Sequence, residues 1–446
     1  MALTRPAGRP VMRIVQLTPG AGNMYCGNCA HDNALVAALR GLGHDALMLP
    51  LYLPVRVDEA NESAGQPIFF GGINVYLQQK SAFFRKAPRW LHRLLNARWL
   101  LDRAAGRAAK TRAADVGELL LSMLSGEQGN QNREITELIA WLQQHGQPEI
   151  LCLSNALLIG MTRRLKAELR LPVVCQLQGE EPYLDALPEE HRAPAWQLLA
   201  ERAVDVDAWI APSQWAAGRM IARLNLPPER VRVVYGGINP TGFEVRSQPT
   251  LHSKTTAPVL GFFARMSRDK GLDTLVEAFI ELKRRGNVFR LKLHIGGGCE
   301  PGDEPWVRQL RQRLAQAGYI GETMFSPNPN RAEKIAFLSG LTVLSVPATY
   351  GEAFGLYVLE ALAAGVPVVQ PRHGAFPEIL AATGGGILCE PNDPRALANA
   401  LETLLLDPTQ ARALGEQGQI AVREKFTAEV MARETLRVFE GLIHRH

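Results

Sequence analysis

Residues 12–50 read MRIVQLTPGAGNMYCGNCAHDNALVAALRGLGHDALMLP and contain one strand–loop–helix–strand unit. The run at 12–18 is short, apolar and β-branched, which is typical of a buried strand. A glycine-bearing loop follows, and the helix after it ends at Gly43. Apolar residues recur at helical spacing on one side of that helix, at Leu35, Val36, Leu39 and Leu42. The order predicts a parallel sheet whose strands are joined by crossover helices.

The same alternation continues along the chain. Further strands are predicted at 149–154, 172–178, 208–213 and 231–237. The polar, aperiodic stretch 244–258 is predicted to be a linker, and a second alternating set occupies 259–427. The last amphipathic helix, 428–446, has no strand after it, so we expect it to pack back towards the first domain. The fold class predicted is α/β, with two doubly wound Rossmann-like domains (1–243 and 259–427) facing each other across a cleft.

Composition favours a multidomain globular protein. The chain has 446 residues, of which 46% are hydrophobic and 21% charged. Gly, Pro or charge interrupts every apolar run before the roughly 20 residues that span a bilayer. The first residues lack the apolar core of a signal peptide, and six cysteines in this length give no disulfide framework. We therefore expect a cytoplasmic protein.

A basic stretch lies within a predicted helical insert at about 80–130. The segment Arg85–Arg112 holds nine basic residues against Asp102 alone, although the whole chain carries only +5. Because the positive charge is confined to this one element, it argues against a protein that binds nucleic acid over its whole surface and for a local anionic partner. One interpretation is peripheral contact with an anionic membrane, and the other is a helix packed on the first domain with a solvated basic face.

The most informative stretch is GEAFGLYVLEALAAG at 351–365. It places Glu352 in a loop and Glu360 in the helix that follows. The backbone N–H groups of Phe354, Gly355 and Leu356 would lie at the helix N-terminus, where free amides and the helix dipole favour a diphosphate. The two carboxylates suit hydroxyl groups of a sugar and of a ribose.

Two cations lie at another junction of a strand and a helix in the same half of the chain. Arg265 and Lys270 lie in GFFARMSRDKG, where a strand meets a helix. Two cations there can neutralise a diphosphate without a metal. The next strand, LKLHIGGG, ends in glycines, of which Gly297 is predicted to line the donor site.

These segments together resemble a known family. VPATYGEAFGLYVLEALAAGVPVVQPRHGAFPEI resembles the signature of retaining glycosyltransferases of family 4, which have the GT-B fold, and Glu352 and Glu360 match its E-x7-E pattern. ARMSRDKG resembles the family's G-R-x-x-x-x-K-G segment, with Ala264 in the glycine position. VVYGGINPTGF resembles the family's segment before the linker, with Gly236 in the Asn position.

The resemblance implies a role for each matched residue. Glu352 would contact the transferred sugar, Glu360 would hold the ribose, and Arg265, Lys270 and the helix amides would stabilise the leaving diphosphate. The implied reaction is transfer of a hexose from a UDP- or GDP-sugar, with retention, to a saccharide or lipid-linked acceptor. Neither a metal nor another cofactor is implied.

This sequence also departs from the family. The family usually has a His at the end of the strand at 172–178, whereas this chain has Gln178, which cannot act as a base at neutral pH. The donor sugar and the alignment of the acceptor are therefore open, and a non-catalytic protein that binds a nucleotide sugar is a second interpretation.

The C-x-x-C segment at 26–29 is also compatible with two different kinds of site. A thiol oxidoreductase would use Cys26 at a helix N-terminus, and a zinc site could use Cys26, Cys29 and His31 but lacks a fourth ligand of suitable spacing. No G-x-G-x-x-G follows a strand, which disfavours a nicotinamide dehydrogenase. Aligned with family 4, Cys26 stands in a glycine position and His31 in the histidine position. Three loop glycines would let the backbone approach the donor or acceptor: Gly20, Gly22 and Gly27.

Overall fold

The computed structural model describes residues 11–22, 26–71, 113–243 and 257–444. The contacts divide the chain into two compact units, one formed by Met1–Tyr235 with Ala428–His446 and the other by Gly236–Thr427. The basic segment Arg85–Arg112 and nearly all of the predicted linker lie outside the described residues. No helix in the described ranges is both long and apolar enough to cross a bilayer.

The first unit is built on a six-stranded parallel sheet. Its strands are β1 (Arg13–Thr18), β2 (Asp45–Pro50), β3 (Ile150–Leu153), β4 (Val173–Gln176), β5 (Ala208–Ala211) and β6 (Val231–Val233). The spatial order is β2-β1-β3-β4-β5-β6, and every pairing is parallel. The order of the strands reverses between β1 and β3, which is where α/β sheets bind ligands beyond the carboxyl ends of their strands.

Helices cover both faces of this sheet, so its strands are buried on both sides. The α-helices up to the domain boundary are α1 (Gly27–Gly41), α2 (Ala113–Leu124), α3 (Asn132–Trp141), α4 (Thr162–Leu169), α5 (Glu181–Asp185), α6 (Glu189–Ala203) and α7 (Gln214–Leu224). Along β1, Ile14 joins the core on the α1 side, and Val15 and Leu17 join the core on the other side.

The second unit repeats the plan with a different order of strands. Its strands are β7 (Val259–Phe263), β8 (Lys292–Gly297), β9 (Thr323–Pro327), β10 (Val343–Leu344), β11 (Val368–Pro371) and β12 (Gly386–Cys389). They lie in the order β12-β11-β10-β7-β8-β9, again with parallel pairings. The order reverses between β7 and β10, as it does at the ligand-binding crevice of dinucleotide-binding folds.

The helices of this unit are α8 (Leu272–Arg285), α9 (Glu304–Gln316), α10 (Arg331–Ser339), α11 (Leu356–Ala363), α12 (Phe376–Thr383), α13 (Pro394–Leu406) and α14 (Pro408–Lys425). The prediction of two doubly wound Rossmann-like domains is confirmed, since each unit has a parallel sheet with alternating helices.

The last helix, α15 (Ala428–Ile443), belongs to the first unit. Its apolar face contributes Met431, Leu436 and Phe439 to the core that also contains Leu35 and Leu39 of α1. Burial of this face explains the amphipathic pattern of the last helix.

The division between the units falls after Tyr235, whereas the sequence placed the end of the first domain at residue 243. Three contacts attach the intervening segment to the second unit. Ile238 forms a parallel bridge with Thr427, and Arg331 donates to the carbonyls of Asn239 and Thr241 at 3.1 and 2.8 Å. These backbone groups are thus satisfied by the second unit, which the local sequence pattern does not reveal.

The return of α15 to the first unit gives a prediction about stability. Phe439 is fully buried and Phe289 is 81% exposed. The same substitution at both positions therefore distinguishes the loss of core packing from the effect of removing a phenyl ring. We expect Phe439→Ala to lower the free energy of unfolding by about 3–5 kcal/mol. The matched Phe289→Ala should stay within about 0.5 kcal/mol of the parent chain. Urea denaturation of both variants measures the difference, and equal midpoints would contradict the role of α15 in this core.

Candidate functional site

Two loops meet at the point in the second sheet where the strand order reverses. The loop after β7 contains Gly271, whose φ is +69° and whose hypothetical Cβ would lie 1.8 Å from the carbonyl oxygen of Pro347, in the loop after β10. The backbone N–H of Thr349 donates to the carbonyl of Asp269 at 2.9 Å. Only glycine accommodates both this left-handed backbone and this approach. The contact brings Lys270 next to the loop that carries Glu352.

Lys270 and Glu352 form a direct ion pair there. The Nζ of Lys270 donates to Oε2 of Glu352 at 2.5 Å and to the hydroxyl of Tyr350 at 2.5 Å. Burial lowers the pKa of Lys270, but the Glu352 carboxylate and Tyr350 outweigh this effect, so its pKa lies above the ordinary value. Lys270 therefore carries a fixed positive charge at neutral pH. The structure brings together these two residues, which the sequence predicted separately.

Two tyrosines complete the surroundings of Glu352, and sequence reasoning missed both. The hydroxyl of Tyr350 donates to Oε1 at 3.2 Å, and that of Tyr357 donates to Oε2 at 3.0 Å. Burial, reinforced by the Glu352 charge, raises the pKa of each tyrosine, so both stay protonated donors. The available signal was that both flank Glu352 in the stretch YGEAFGLY. Three donors thus fix the orientation of one carboxylate.

Arg265 lies just beyond the end of β7 but pairs with acidic residues that follow β8. Its Nε and Nη2 donate to the carboxylate of Asp303 at 3.1 and 3.2 Å, and Nη2 is 3.7 Å from Glu300. Partial burial lowers the pKa of Arg265, and the bonds to Asp303 raise it by more, so the net shift is upward. The side chain is 47% exposed, which keeps the guanidinium accessible to a ligand.

Gly297 has a structural reason to be glycine. Its φ is +115°, and a Cβ would lie 2.0 Å from the carbonyl oxygen of Ala264. The end of β8 therefore packs directly on the residue before Arg265. Gly297 permits this backbone approach at the carboxyl end of the sheet.

The predicted anion site is the N-terminus of α11. Gly355 precedes the helix with a φ of +92°, and Leu356 is its first residue. The preceding loop is held in place, because the N–H of Ala375 donates to the carbonyl of Glu352 at 2.9 Å and Gly374 packs against the backbone of Glu352. Phe354, which precedes Gly355, is itself buried.

Glu360 has a partner that sequence reasoning also missed. The Nζ of Lys334, on α10, donates to Oε1 of Glu360 at 2.6 Å. The side chains are only 4% and 13% exposed, respectively. No local pattern marks Lys334, because the pair spans 26 residues and depends on how α10 packs. A nearly buried ammonium therefore holds the carboxylate predicted to bind ribose.

A second polar cluster lies in the first unit, where its strand order reverses. The Nε2 of Gln178, just beyond β4, lies 2.9 Å from both Oδ1 of Asp32 and the carbonyl of Ser154, and the Thr18 hydroxyl donates to Oδ2 of Asp32 at 2.8 Å. His31 Nδ1 is 3.3 Å from Oδ1 of Asp32. The structure brings together Gln178 and His31, and it adds Asp32 and Thr18, which the sequence analysis did not select.

The three loop glycines of this unit differ in their surroundings. A Cβ on Gly20 would lie 1.7 Å from the carbonyl oxygen of Leu53, and the N–H of Gly22 donates to the carbonyl of Pro54 at 2.9 Å. Gly27 has open space around its Cα. Gly20 and Gly22 thus serve the packing of their own loop on residues 53–54, while Gly27 is exposed at the start of α1.

The described residues contain no group of three or more His, Cys, Asp or Glu side chains placed to hold a metal ion. The trio Cys26, Cys29 and His31 is therefore not arranged as a metal site.

Family models match both parts of the chain. Residues 113–241 match the model described as Glycosyltransferase Family 4, and residues 246–420 match Glycosyl transferases group 1. The second match contains the Lys270, Glu352 and Glu360 positions.

Individual proteins similar to this chain are also glycosyltransferases by name. The putative colanic acid biosynthesis glycosyltransferase WcaL of Escherichia coli K12 is 29% identical over 56% of this chain and 60% of its own length. The D-inositol 3-phosphate glycosyltransferase of Thermobifida fusca is 29% identical over 48% of this chain and 50% of its own length. The chain thus matches only about half to three fifths of these relatives.

Solved structures cover nearly all of the chain. Sucrose-phosphate synthase from Thermosynechococcus elongatus has a TM-score of 0.71 at 18% identity, covering 97% of this chain and 99% of that one. Anabaena HepE in complex with UDP has a TM-score of 0.67 at 16% identity, covering 97% and 100%. The predicted resemblance is confirmed at this level: the chain has the GT-B fold, and its two parts match glycosyltransferase family models.

Proposed function

We propose that this protein is a retaining glycosyltransferase that transfers a hexose from a UDP- or GDP-sugar to a saccharide or lipid-linked acceptor. The observation that carries the proposal is the Lys270–Glu352 pair at the switch point of the second sheet, beside the N-terminus of α11. The solved structures of HepE with UDP and with UDP-glucose add support for a uridine nucleotide donor.

In this proposal Glu352 recognises the transferred sugar. An ionised carboxylate has about four acceptor positions, and Lys270, Tyr350 and Tyr357 take three of them. The remaining position, on Oε1, suits one sugar hydroxyl. Because three donors hold the carboxylate, the orientation of that hydroxyl is set before the sugar binds.

The leaving diphosphate is stabilised without a metal. Breaking the glycosidic bond develops negative charge on phosphate oxygens, and donors already in place lower the barrier. The donors are Lys270, the amides at 354–356 and Arg265, whose bonds to Asp303 use Nε and Nη2 and leave Nη1 for a phosphate oxygen. The raised pKa of Lys270 keeps this cation charged throughout the neutral range.

Retention follows from a front-face attack. The acceptor hydroxyl attacks the anomeric carbon from the side of the departing diphosphate, and a phosphate oxygen takes its proton. In this proposal Glu352 binds a sugar hydroxyl and is not the nucleophile, because the three donors that engage its carboxylate weaken its nucleophilicity. Gln178 cannot act as a base, and its amide is bound to Asp32 and Ser154, so it positions the first-unit cluster.

Glu360 would bind the ribose hydroxyls through the oxygen that Lys334 does not use. The salt bridge to Lys334 holds Oε1 and directs the carboxylate from one side. Lys334 is then a positioning residue for nucleotide binding.

Thermal shift in the presence of EDTA tests nucleotide binding. We expect one of UDP, GDP and ADP to raise the unfolding temperature, and slow hydrolysis of the matching nucleotide sugar to follow. Arg265→Ala or Glu352→Gln should lower the rate of hydrolysis by about 100-fold or more. This is the usual effect of removing one hydrogen-bond donor to a developing anion, or a residue that positions such a donor. Arg308→Ala, an exposed residue on α9, should leave the rate unchanged.

Two outcomes would contradict this assignment. Binding without hydrolysis of any nucleotide sugar would favour a non-catalytic binding protein. If none of the three nucleotides raises the unfolding temperature, the proposed function is wrong.

The Lys334–Glu360 pair gives a separate prediction. Lys334→Met leaves a nearly buried carboxylate without its cation, and we expect a loss of about 3–5 kcal/mol in the free energy of unfolding. Adding Glu360→Gln removes the unpaired charge and should recover much of that loss. Exposed Lys292→Met serves as control. Urea denaturation measures all of these variants, and equal stability of the single and double variants would refute the coupling.

A further inference from the structure

The cysteines of the C-x-x-C segment lie at the N-terminus of α1. Cys26 is the N-cap residue, and its Sγ accepts the backbone N–H of Cys29 at 3.4 Å. Cys26 is partly exposed, whereas Cys29 in the first turn is fully buried behind it. The pair therefore combines a partly exposed residue at the start of the helix with a buried residue behind it, and neither cysteine is in a disulfide.

Their environments make the two sulfurs unequal. The neighbouring Cys29 side chain is the largest cause of a lowered pKa at Cys26, and the same interaction, followed by burial, raises the pKa of Cys29. Backbone N–H groups at the helix start also favour a Cys26 thiolate, and the buried Asp32 carboxylate opposes it. Cys26, which is partly exposed and whose Sγ accepts the helix N–H, is therefore the candidate nucleophile of the pair, and the buried Cys29 is its candidate resolving partner.

The other four cysteines have no such arrangement. Burial raises the thiol pKa at each of Cys152, Cys175, Cys299 and Cys389. Cys299 is partly exposed like Cys26, so it is the matched comparison within the same chain.

We propose that Cys26 and Cys29 form a reactive thiol pair that a low-molecular-mass disulfide converts reversibly to an intramolecular disulfide. The Cys26 thiolate attacks one sulfur of the small disulfide and releases a small thiolate, which takes up a proton. Cys29 then gives up its proton and attacks Sγ of Cys26, releasing the second small thiol. The small disulfide is reduced to two thiols, and the protein loses two hydrogens.

The position of the pair gives the reaction a consequence. The helix α1, which begins at this pair, also carries His31 and Asp32 in its first two turns. Closing the disulfide would change the Cys26 Sγ cap of α1, the helix whose Asp32 binds Gln178. If the proposed function holds, the acceptor side of the enzyme is the part that responds to oxidation.

Oxidation of the whole chain with glutathione disulfide tests the proposal. After the remaining thiols are alkylated, peptide mass spectrometry should find a Cys26–Cys29 disulfide that dithiothreitol reverses. Cys29→Ser and Cys29→Ala should both stop at a glutathione adduct on Cys26, because the second attack is removed. Cys26→Ser, which retains an N-cap side chain, should leave Cys29 unmodified. Cys299→Ser should react like the parent chain.

Rates of alkylation provide a second measurement. We expect iodoacetamide at neutral pH to modify Cys26 at least about ten-fold faster than Cys299, since the thiolate is the reacting form. Faster reaction at Cys299, or no glutathione adduct on Cys26 in either Cys29 variant, would overturn the proposal.

These measurements are separate from those on glycosyl transfer. The proposed nucleotide site lies in the second unit, so UDP or GDP should stabilise oxidised and reduced protein equally. If neither the oxidised nor the reduced protein binds a nucleotide, the proposed function is wrong, and the proposal about Cys26 and Cys29 is unaffected.

Discussion

A Cβ on Gly271 would come within 1.8 Å of the carbonyl oxygen of Pro347, and this contact determines the geometry of the second unit's site. The loops after β7 and β10 can approach only because residue 271 has no side chain and adopts a left-handed backbone. The Asp269–Thr349 backbone bond then fixes their register. Lys270 and Glu352 meet as a consequence, and the two tyrosines add further donors to the carboxylate. The site lies where the strand order of the Rossmann-like sheet reverses. Gly271 allows the two loops at that point to approach each other closely.

Both glutamates of the E-x7-E pattern are held by lysines from elsewhere in the chain. Glu352 is paired with Lys270 and Glu360 with Lys334, and each pair is mostly shielded from water. Removing one partner from such a pair is costly, because it leaves a charge poorly solvated. The carboxylates are therefore positioned before any ligand arrives, which reduces the ordering that binding requires.

The sequence predicted those features that are local or carried by the family pattern. Alternating strands and helices identified both domains, and the spacing of Glu352 and Glu360 identified the loop and helix of the site. Lys334 and Asp32 were not found, because their partners lie far away in sequence and meet only through packing. The contact-based division after Tyr235 differs from the predicted domain end at residue 243, because residues 236–243 bind the second unit through backbone hydrogen bonds that the local sequence does not indicate. Gln178 was identified as a departure, and the structure adds what its amide binds.

The return of α15 has a consequence for how the chain is made. The first unit needs Phe439 and its neighbours for its core, so that core is incomplete until α15 has left the ribosome. The second unit is one continuous stretch, Gly236–Thr427, and has all six strands of its sheet before then. During synthesis the amino-terminal domain usually folds first. In this chain the second unit can complete its fold before the first unit, which still lacks α15.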